Sequence, residues 1–465
     1  MLFRQIIHED LGCASYLVAD RESGVAVVVD PQWDIDPYRR LASLHGVRIG
    51  HVLETHNHAD HVSGHGRLCR RTGATVHVHE LAEAGYPHEP FADGWKLELD
   101  DLVVEAIHTP GHRPEHTCFL LSDKGRGGDP WALLTGDSLF IGDVARPDLA
   151  VEPREGAADM FRSLRRLLGL PDEVEVWPGH LGGSLCGGSG LDLKNSSTIG
   201  FERRHNRALS IDDESEFVED QVGSLGDKPP NVKRIVGLNK GPLVEDFGTP
   251  APLSPHEVEE LVEEGAVVID GRTNEQFDEA HIQGALSASS YDTGFATKVS
   301  RVAPEGTEIV MVAASSGDER QAAQLLASVG LPVRGYLEGG MTAWRTEERP
   351  VHRIELIDPE ELAQRLDGEA GPVVLDVRND SEYAGEHIPG SLHIPYANLA
   401  ERLDELPRDR PLATICRGGK RSGLAASILQ RAGFEDVIHV GKGVGAWRSA
   451  GHPVESGGAE IPASF

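Results

Sequence analysis

Histidines and aspartates that could bind a metal ion follow several apolar segments in the first half of the chain. Residues 55–61 read THNHADH, and later segments end in HTPGH, TGD and WPGH. Imidazole and carboxylate groups are the usual protein ligands of zinc and of non-haem iron. Such groups recurring after successive apolar segments predict a metal site. The candidate ligands are His56, His58, Asp60, His61, His112, Asp137 and His180.

The segments before these ligands have the length and apolar character of β-strands, at residues 47–54, 102–107, 131–134 and 174–177. Because the carboxyl ends of neighbouring strands meet at one edge of a sheet, side chains that follow them converge there. A hairpin is expected around residues 18–29. The pattern therefore predicts a mixed α/β sandwich with a metal site at a sheet edge.

Two kinds of chemistry fit these ligands. If all of them bind metal, they hold two zinc ions that activate a water for hydrolysis, as in thioesterases of the glyoxalase II kind. If two histidines and one carboxylate bind a single ferrous ion, positions stay open for a substrate and dioxygen. The ligand set alone does not distinguish these alternatives.

The HxHxDH run resembles the metallo-β-lactamase fold superfamily, which implies an αββα sandwich for residues 1–247. Other motifs are similar to the persulfide dioxygenase family rather than to glyoxalase II. They are GHRPEHT at 111–117, LFIGDVARPDL at 139–149, GSLCGG at 183–188 and SSTIGFERRHN at 196–206. This second resemblance implies one Fe(II) per chain and oxidation of a low-molecular-weight thiol persulfide, of the glutathione or coenzyme A type, by O2 to sulfite.

The resemblance also implies a role for each candidate ligand. The iron triad maps onto His56, His112 and Asp137. The remaining residues orient the triad or line a second site; they are His58, Asp60, His61 and His180.

Two further residues of the first block are candidates for substrate binding. Arg146 is a candidate for positioning the anionic substrate, although an ion pair with the aspartate of its own Arg-Pro-Asp run is an equal alternative. Cys186 lies near the iron and holds sulfur, or is a small buried residue. Ala145 and Arg113 depart from the family pattern, which predicts a shifted substrate preference.

An internal repeat occupies the second half of the chain. Residues 267–285 read VVIDGRTNEQFDEAHIQGA, and residues 373–391 read VVLDVRNDSEYAGEHIPGS. Short apolar strands alternate with helical patterns in each copy, which is typical of an α/β domain with a parallel sheet. We therefore predict two tandem domains, at 248–352 and 353–465.

The run CRGGKRS, which begins at residue 416, follows a predicted strand and opens a predicted helix at 422–432. Amide groups of such a loop form an anion-binding nest, and the helix N-terminus adds positive potential. Cationic side chains strengthen this potential and favour the thiolate, which is the nucleophilic form of cysteine. The candidate catalytic residues are Cys416, Arg417, Gly418, Gly419, Lys420 and Arg421.

The repeat and this loop resemble the rhodanese family, whose members transfer a sulfane sulfur through a cysteine persulfide. Alignment of the copies places Ala313 opposite Cys416, and no cysteine lies between Cys186 and Cys416. The first copy is therefore expected to be inactive in transfer and to act in spacing, in an interface or in dimerisation. We expect a homo-oligomer.

The two resemblances together imply a pathway of sulfide detoxification. Cys416 passes sulfur to sulfite and forms thiosulfate, or it is loaded from thiosulfate and supplies persulfide to the iron. The alternatives are a dizinc glyoxalase II-like thioester hydrolase with appended rhodaneses and a sulfur-relay binding protein with a vestigial metal domain.

Composition restricts the partners of the chain. A formal net charge of −31, from 75 acidic and 44 basic residues, makes nucleic acid an unexpected partner. Apolar runs fall far short of the ~20 residues that span a bilayer, and no secretory signal is visible. Five scattered cysteines favour a reducing cytoplasm. Cys13, Cys69 and Cys118 show no pattern and are expected to be packing residues.

Overall fold

The computed structural model divides into two compact units, Met1–Phe247 with Ala327–Gly330, and Gly248–Leu326 with Leu331–Phe465. No helix in the described part of the chain is both long enough and apolar enough to cross a membrane. The structure describes residues 1–182, 192, 194–226, 228, 230–304, 306–368 and 371–457.

Two mixed sheets form the centre of the first unit, as described by residues 1–182 and 197–198. The first consists, in spatial order, of β1 (Leu2–His8), β2 (Cys13–Ala19), β3 (Val25–Val29), β4 (Arg48–Leu53), β5 (Thr75–His79) and β6 (Glu89–Phe91). The second consists of β7 (Lys96–Leu99), β8 (Leu102–His108), β9 (Thr117–Asp123), β10 (Pro130–Gly136), β11 (Glu175–Pro178) and β12 (Ser197–Thr198). Strands β2 and β3 pair antiparallel and form the predicted hairpin.

The two sheets pack face to face and helices cover their outer faces. Tyr16 and Val27 of the first sheet share a buried cluster with Phe119 and Leu134 of the second. The helices are α1 (Asp36–His45), α2 (His65–Thr72), α3 (Pro153–Leu167), α4 (Ile199–His205), α5 (Glu214–Gly223) and α6 (Val232–Lys240). Residues of α1 and α2 pack with the first sheet, and residues of α3, α4 and α5 pack with the second. The predicted αββα sandwich is confirmed.

The second unit contains two parallel sheets with the same strand order among its described residues. The first copy has β13 (Ala251–Leu253), β14 (Val267–Asp270), β15 (Leu286–Ser287), β16 (Ile309–Val312) and β17 (Val333–Leu337), in the spatial order 13-17-16-14-15. Its helices are α7 (Pro255–Glu263), α8 (Asn274–Glu279), α9 (Phe295–Val302), α10 (Asp318–Ser328) and α11 (Gly340–Thr346).

The second copy has β18 (Glu355–Ile357), β19 (Val373–Asp376), β20 (Leu392–His393), β21 (Leu412–Ile415) and β22 (Val437–Val440), in the order 18-22-21-19-20. Its helices are α12 (Pro359–Leu366), α13 (Asp380–Gly385), α14 (Lys420–Arg431) and α15 (Gly443–Ser449). The sequence repeat is therefore a structural repeat, and the prediction of two rhodanese-like α/β domains with parallel sheets is confirmed.

A buried ion pair lies at the end of β14 in the first copy and at the end of β19 in the second. In the second copy, Asp376 accepts hydrogen bonds from the Arg378 guanidinium at 2.6–3.0 Å, and Arg378 also donates to the Glu386 carbonyl. Asp270 and Arg272 make the same contacts in the first copy. The repeated Asp-x-Arg signature therefore fixes the chain as it leaves the strand.

Replacing Arg378 by Met tests this role in stability. The change leaves the buried Asp376 carboxylate without its cation, which should lower the free energy of unfolding by about 3 kcal/mol or more. Urea unfolding of the full chain measures the loss. The matched control is Arg402→Gln, which removes an ion pair with Glu405 at the surface and should leave the transition in place. Equal shifts in both variants would contradict the assignment.

Candidate functional site

Three side chains from different loops bring donor atoms together at the edge of the sandwich. His56 follows β4, His112 lies between β8 and β9, and Asp137 follows β10. The Asp137 Oδ2 atom lies 3.9 Å from His56 Nε2 and 3.6 Å from His112 Nε2. All three atoms are buried without a hydrogen-bond partner among the described residues. Buried polar atoms are rarely left unpaired, so this group fits a metal cation.

Hydrogen bonds on the far side of each histidine ring determine which nitrogen carries the proton. The Thr55 hydroxyl donates to Asp30 at 2.8 Å, so Thr55 Oγ1 must accept the hydrogen bond from His56 Nδ1 at 2.9 Å. His112 Nδ1 donates to the carbonyl oxygen of Arg146 at 2.9 Å. Both rings therefore present the Nε2 lone pair to the Asp137 carboxylate, which is the form that binds a metal.

Burial keeps the triad in its metal-binding protonation state. Burial, together with His58 and His112, lowers the pKa of His56 well below its usual value. Burial also lowers the pKa of His112, although Asp137 opposes this effect. Burial alone would raise the pKa of Asp137, but His180 and His112 bring it down to about 2. The site thus holds two neutral imidazoles and one carboxylate.

A second group of potential ligands lies beside the triad, and its members contact one another, although His61 Nε2 has no hydrogen-bond partner among the described residues. His180 contacts Asp137 Oδ1 through Nδ1 and Asp60 Oδ2 through Nε2, both at 2.7 Å. Because both ring nitrogens face carboxylates, the ring donates from both and carries a positive charge. His61 Nδ1 lies 3.2 Å from Asp60 Oδ1. A cationic imidazole therefore neutralises the two carboxylates of this group.

Cys13 belongs to this second group, which the sequence did not indicate. Its Sγ lies 3.3 Å from His180 Nε2, 3.4 Å from Asp60 Oδ2 and 3.6 Å from His61 Nδ1. An isolated antiparallel bridge between Cys13 and His180 brings these residues together across 167 positions. The expectation that Cys13 only fills space is therefore incomplete, since the thiol lies among potential metal ligands.

His58 belongs to a third group of potential ligands, together with Asp30 and Glu54. Its Nε2 atom lies 3.2 Å from Asp30 Oδ1 and 3.4 Å from Glu54 Oε2. Burial would lower the pKa of His58, but Asp30 and Glu54 together raise it well above the usual value. The two acids therefore favour the charged form of His58, whereas burial favours the neutral form of His56 and His112.

The structure places the two predicted substrate-binding residues differently. The Arg146 guanidinium pairs with Asp148 at 2.7 and 3.0 Å, which is the ion-pair alternative, and its carbonyl holds His112. Cys186 lies outside the described residues. Arg113, the family departure, donates to Glu115 at 2.7 Å, and Glu115 also accepts from the amide of Asn57. This network ties together the two loops that carry His56 and His112.

The cysteine loop of the second copy lies between β21 and α14. Cys416 is buried, and its Sγ accepts a hydrogen bond from the Gly419 amide at 3.2 Å and one from the Ser422 hydroxyl at 3.4 Å. Gly419 has a φ of +97°, and a Cβ there would lie 3.1 Å from the Lys442 nitrogen. The loop therefore needs glycine at this position, and it surrounds the sulfur with donors.

The predicted cations have different places around this loop. Arg421 pairs with Glu382 at 2.5 Å, and Lys420 pairs with Asp292 of the first copy at 2.5 Å. Burial would lower the pKa of Arg421, but Glu382 and then Cys416 raise it, so Arg421 lies within electrostatic range of the sulfur. Arg417 is exposed, and Ala313 occupies the corresponding loop of the first copy.

Comparison with known proteins supports the fold of both units. Residues 8–180 match the metallo-beta-lactamase superfamily, and residues 254–347 and 358–450 match the rhodanese-like domain. A solved metallo-beta-lactamase from Staphylococcus aureus subsp. aureus COL is 29% identical, with a TM-score of 0.65. The match covers 72% of this chain and 98% of that one.

Two of the relatives found by sequence each cover less than half of this chain. An uncharacterized protein of Mycobacterium leprae (strain TN) is 31% identical over 226 residues, which cover 43% of this chain and 94% of that protein. A hydroxyacylglutathione hydrolase of Methylococcus capsulatus (strain ATCC 33009 / NCIMB 11132 / Bath) is 34% identical over 172 residues, which cover 36% of this chain and 60% of that protein.

The contrast between orphaned and paired donors predicts which histidines hold metal. His112→Asn removes one of the three orphaned donors and should reduce the bound metal to below about a tenth of the wild-type content. His61→Asn is the matched control from the second group, in which His61 Nδ1 contacts Asp60, and it should keep most of the metal. Elemental analysis of the two purified variants measures the difference. Equal loss in both would indicate a two-metal site.

Proposed function

We propose that this chain, a member of the metallo-β-lactamase superfamily that carries two rhodanese-like domains, is an iron-dependent persulfide dioxygenase with a sulfur-transfer cysteine at position 416. The substrate is the persulfide of a low-molecular-weight thiol, of the glutathione or coenzyme A type. The products of the first reaction are the free thiol and sulfite. The second reaction exchanges sulfane sulfur between Cys416 and sulfite or thiosulfate.

The observation that carries the proposal is the difference between the donor groups around the metal site. His56 Nε2, His112 Nε2 and Asp137 Oδ2 are orphaned, whereas the atoms near His180 are hydrogen-bonded to one another. A single cation with three protein ligands satisfies this pattern. Two histidines and one carboxylate are the ligand set of non-haem Fe(II) oxygenases, which leave further positions for substrate and O2.

The overall reaction of the metal site balances as RSSH + O2 + H2O → RSH + SO3²⁻ + 2H⁺. Bound Fe(II) would act as a Lewis acid that accepts a soft sulfur ligand and passes electrons to dioxygen. Zinc does not pass electrons, because it does not change oxidation state. The chain keeps both imidazoles neutral through Thr55 and the Arg146 carbonyl. His56, His112 and Asp137 are almost completely buried, so bulk water is excluded around the triad.

The His180 imidazolium places a positive charge next to the metal ligand Asp137. Its Nδ1–H donates to Asp137 Oδ1, so the carboxylate presents its other oxygen, Oδ2, to the metal. This contact orients the ligand and reduces its negative charge. We propose that Asp60, which holds the other side of the ring at 2.7 Å, keeps His180 in place during turnover.

The cysteine loop is proposed to carry sulfur as a Cys416 persulfide. Transfer to sulfite follows Cys416–S–S⁻ + SO3²⁻ → Cys416–S⁻ + S2O3²⁻, in which the sulfur–sulfur bond to Cys416 breaks and one to sulfite forms. The amide of Gly419 and the hydroxyl of Ser422 stabilise the thiolate that leaves. The reverse reaction loads Cys416 from thiosulfate with the same groups.

A dizinc thioester hydrolase of the glyoxalase II kind is the second candidate. The hydroxyacylglutathione hydrolase relative and the presence of every ligand type favour it. Two observations weigh against it. Asp30 and Glu54 raise the pKa of His58, and both ring nitrogens of His180 contact carboxylates at 2.7 Å. The metal-dependent assay below distinguishes the two candidates.

Reconstitution of the metal-free protein tests the metal site. With Fe(II) under air, glutathione persulfide should be converted to sulfite, and with Zn(II) the rate should fall by at least about a hundredfold because zinc does not change oxidation state. S-Lactoylglutathione is the control substrate for hydrolysis. Rapid hydrolysis of this thioester by the zinc form, without sulfite production by the iron form, would contradict the proposal.

Replacing Cys416 by Ser separates the two activities. The hydroxyl cannot form the persulfide, so thiosulfate turnover should fall to background while sulfite formation from glutathione persulfide stays within about twofold of wild type. Cys69→Ser is the matched control, since Cys69 is a partly buried cysteine on α2. Loss of both activities in Cys416→Ser alone would exclude this division of labour.

A further inference from the structure

The first rhodanese-like domain, which has no cysteine, contacts the cysteine loop of the second domain through helix α8. We propose that this domain positions the Cys416 loop, because Asp278 of α8 holds His439, and His439 in turn holds the Gly419 carbonyl. The inference rests on the proposed sulfur transfer at Cys416. It gives the cysteine-free copy a role in the activity of its partner domain.

The first contact is a buried chain of hydrogen bonds that links the two domains. His439 lies on β22, and its Nδ1 atom is 2.7 Å from Asp278 Oδ2. The Nε2 atom of the same ring is 2.8 Å from the Gly419 carbonyl oxygen. Asp278 and His439 are only 3% and 2% exposed. Both ring nitrogens face oxygen atoms, so His439 bridges the Asp278 carboxylate and the Gly419 carbonyl.

The second contact comes from the first residue of the same helix. The Asn274 side-chain amide donates to the Gly419 carbonyl at 3.1 Å, and its oxygen accepts from Ser287 at 3.1 Å. A Cβ on Gly423 of α14 would lie 2.6 Å from Asn274 Nδ2, so only glycine lets the two helices approach this closely. Two residues of the first domain thus act on one carbonyl of the loop.

Fixing this carbonyl determines where the neighbouring amides point. The Gly419 oxygen also accepts a hydrogen bond from Gly423 N at 3.2 Å, so it faces into helix α14. In a trans peptide the N–H points opposite to the C=O, so the Lys420 N–H points out of the helix N-terminus. The Gly419 N–H, one peptide earlier, donates to Cys416 Sγ. The contact from the first domain therefore holds the amide nest around the sulfur in shape.

The arrangement is not reciprocal between the two copies. The position equivalent to Asp278 in the second copy is Ala384, and the position equivalent to His439 in the first copy is Tyr336. Strand register supports the second equivalence, because Tyr336 pairs with Met311 and His439 pairs with Thr414. Asp278 therefore lies in the copy without the cysteine, and His439 lies in the copy that has the cysteine.

Asp278→Ala in the full-length protein tests the inference. We expect kcat for sulfur transfer from thiosulfate to cyanide to fall about tenfold with little change in KM, because the loop loses its preorganised shape. Alkylation of Cys416 by iodoacetamide, followed by mass spectrometry of its peptide, should slow in parallel. Glu279→Ala, at an exposed position of the same helix, is the matched control. Its kcat for sulfur transfer and its rate of Cys416 alkylation should equal those of the wild type.

A rescue variant separates positioning from a simple loss of folding. In the double variant Asp278→Ala/His439→Gln, the neutral glutamine amide can donate to Gly419 without a carboxylate partner, so kcat and alkylation should recover at least about threefold over Asp278→Ala. Wild-type rates in Asp278→Ala, an equal loss in Glu279→Ala, or no recovery in the double variant would overturn the inference. Thiosulfate turnover that survives Cys416→Ser would instead refute the proposed sulfur transfer itself.

Discussion

The orientation of two buried imidazoles controls the chemistry of the metal site. Asp30 accepts the hydrogen bond of the Thr55 hydroxyl, so Thr55 Oγ1 accepts a hydrogen bond from His56 Nδ1. The Arg146 carbonyl oxygen accepts a hydrogen bond from His112 Nδ1. Both rings therefore present lone pairs to the place where Asp137 presents an oxygen. If either acceptor were a donor, a proton would point into the site and would repel a cation. Our proposal of one metal position rests on these contacts.

The same principle explains why further histidines nearby need not bind metal. His180 lies between Asp137 and Asp60, and His58 lies between Asp30 and Glu54. In each case the histidine ring neutralises the carboxylates that a second metal ion would otherwise neutralise. A fold that holds two ions in a hydrolase can in this way hold one in an oxygenase.

The tandem rhodanese-like domains show how a duplicated fold can divide a task. Both copies keep the strand order and the buried Asp-x-Arg pair, so both remain stable domains. One copy has the cysteine, and the other has the Asp278 carboxylate, which contacts the cysteine loop through His439. Loss of the nucleophile in the first copy is thus compatible with a positioning function.

Local patterns in the sequence predicted much of the fold and of the candidate sites. The predicted strand at 47–54 is β4 at Arg48–Leu53, but the helix predicted from residue 422 begins at Lys420, because Gly419 adopts a positive φ just before it. Cys13 could not be found this way, since only a β-bridge across 167 residues brings it to His180. Backbone acceptors such as the Arg146 carbonyl carry no sequence signal. Contacts like that of Asp278 with His439 require the three-dimensional pairing of two domains.

Oxygen stoichiometry tests the central claim most directly. An oxygen electrode and a sulfite assay, run together on the iron-loaded protein with glutathione persulfide, measure the two quantities in one reaction. The account predicts one O2 consumed for each sulfite formed, as the balanced equation requires. Consumption of the persulfide with no uptake of oxygen would contradict it.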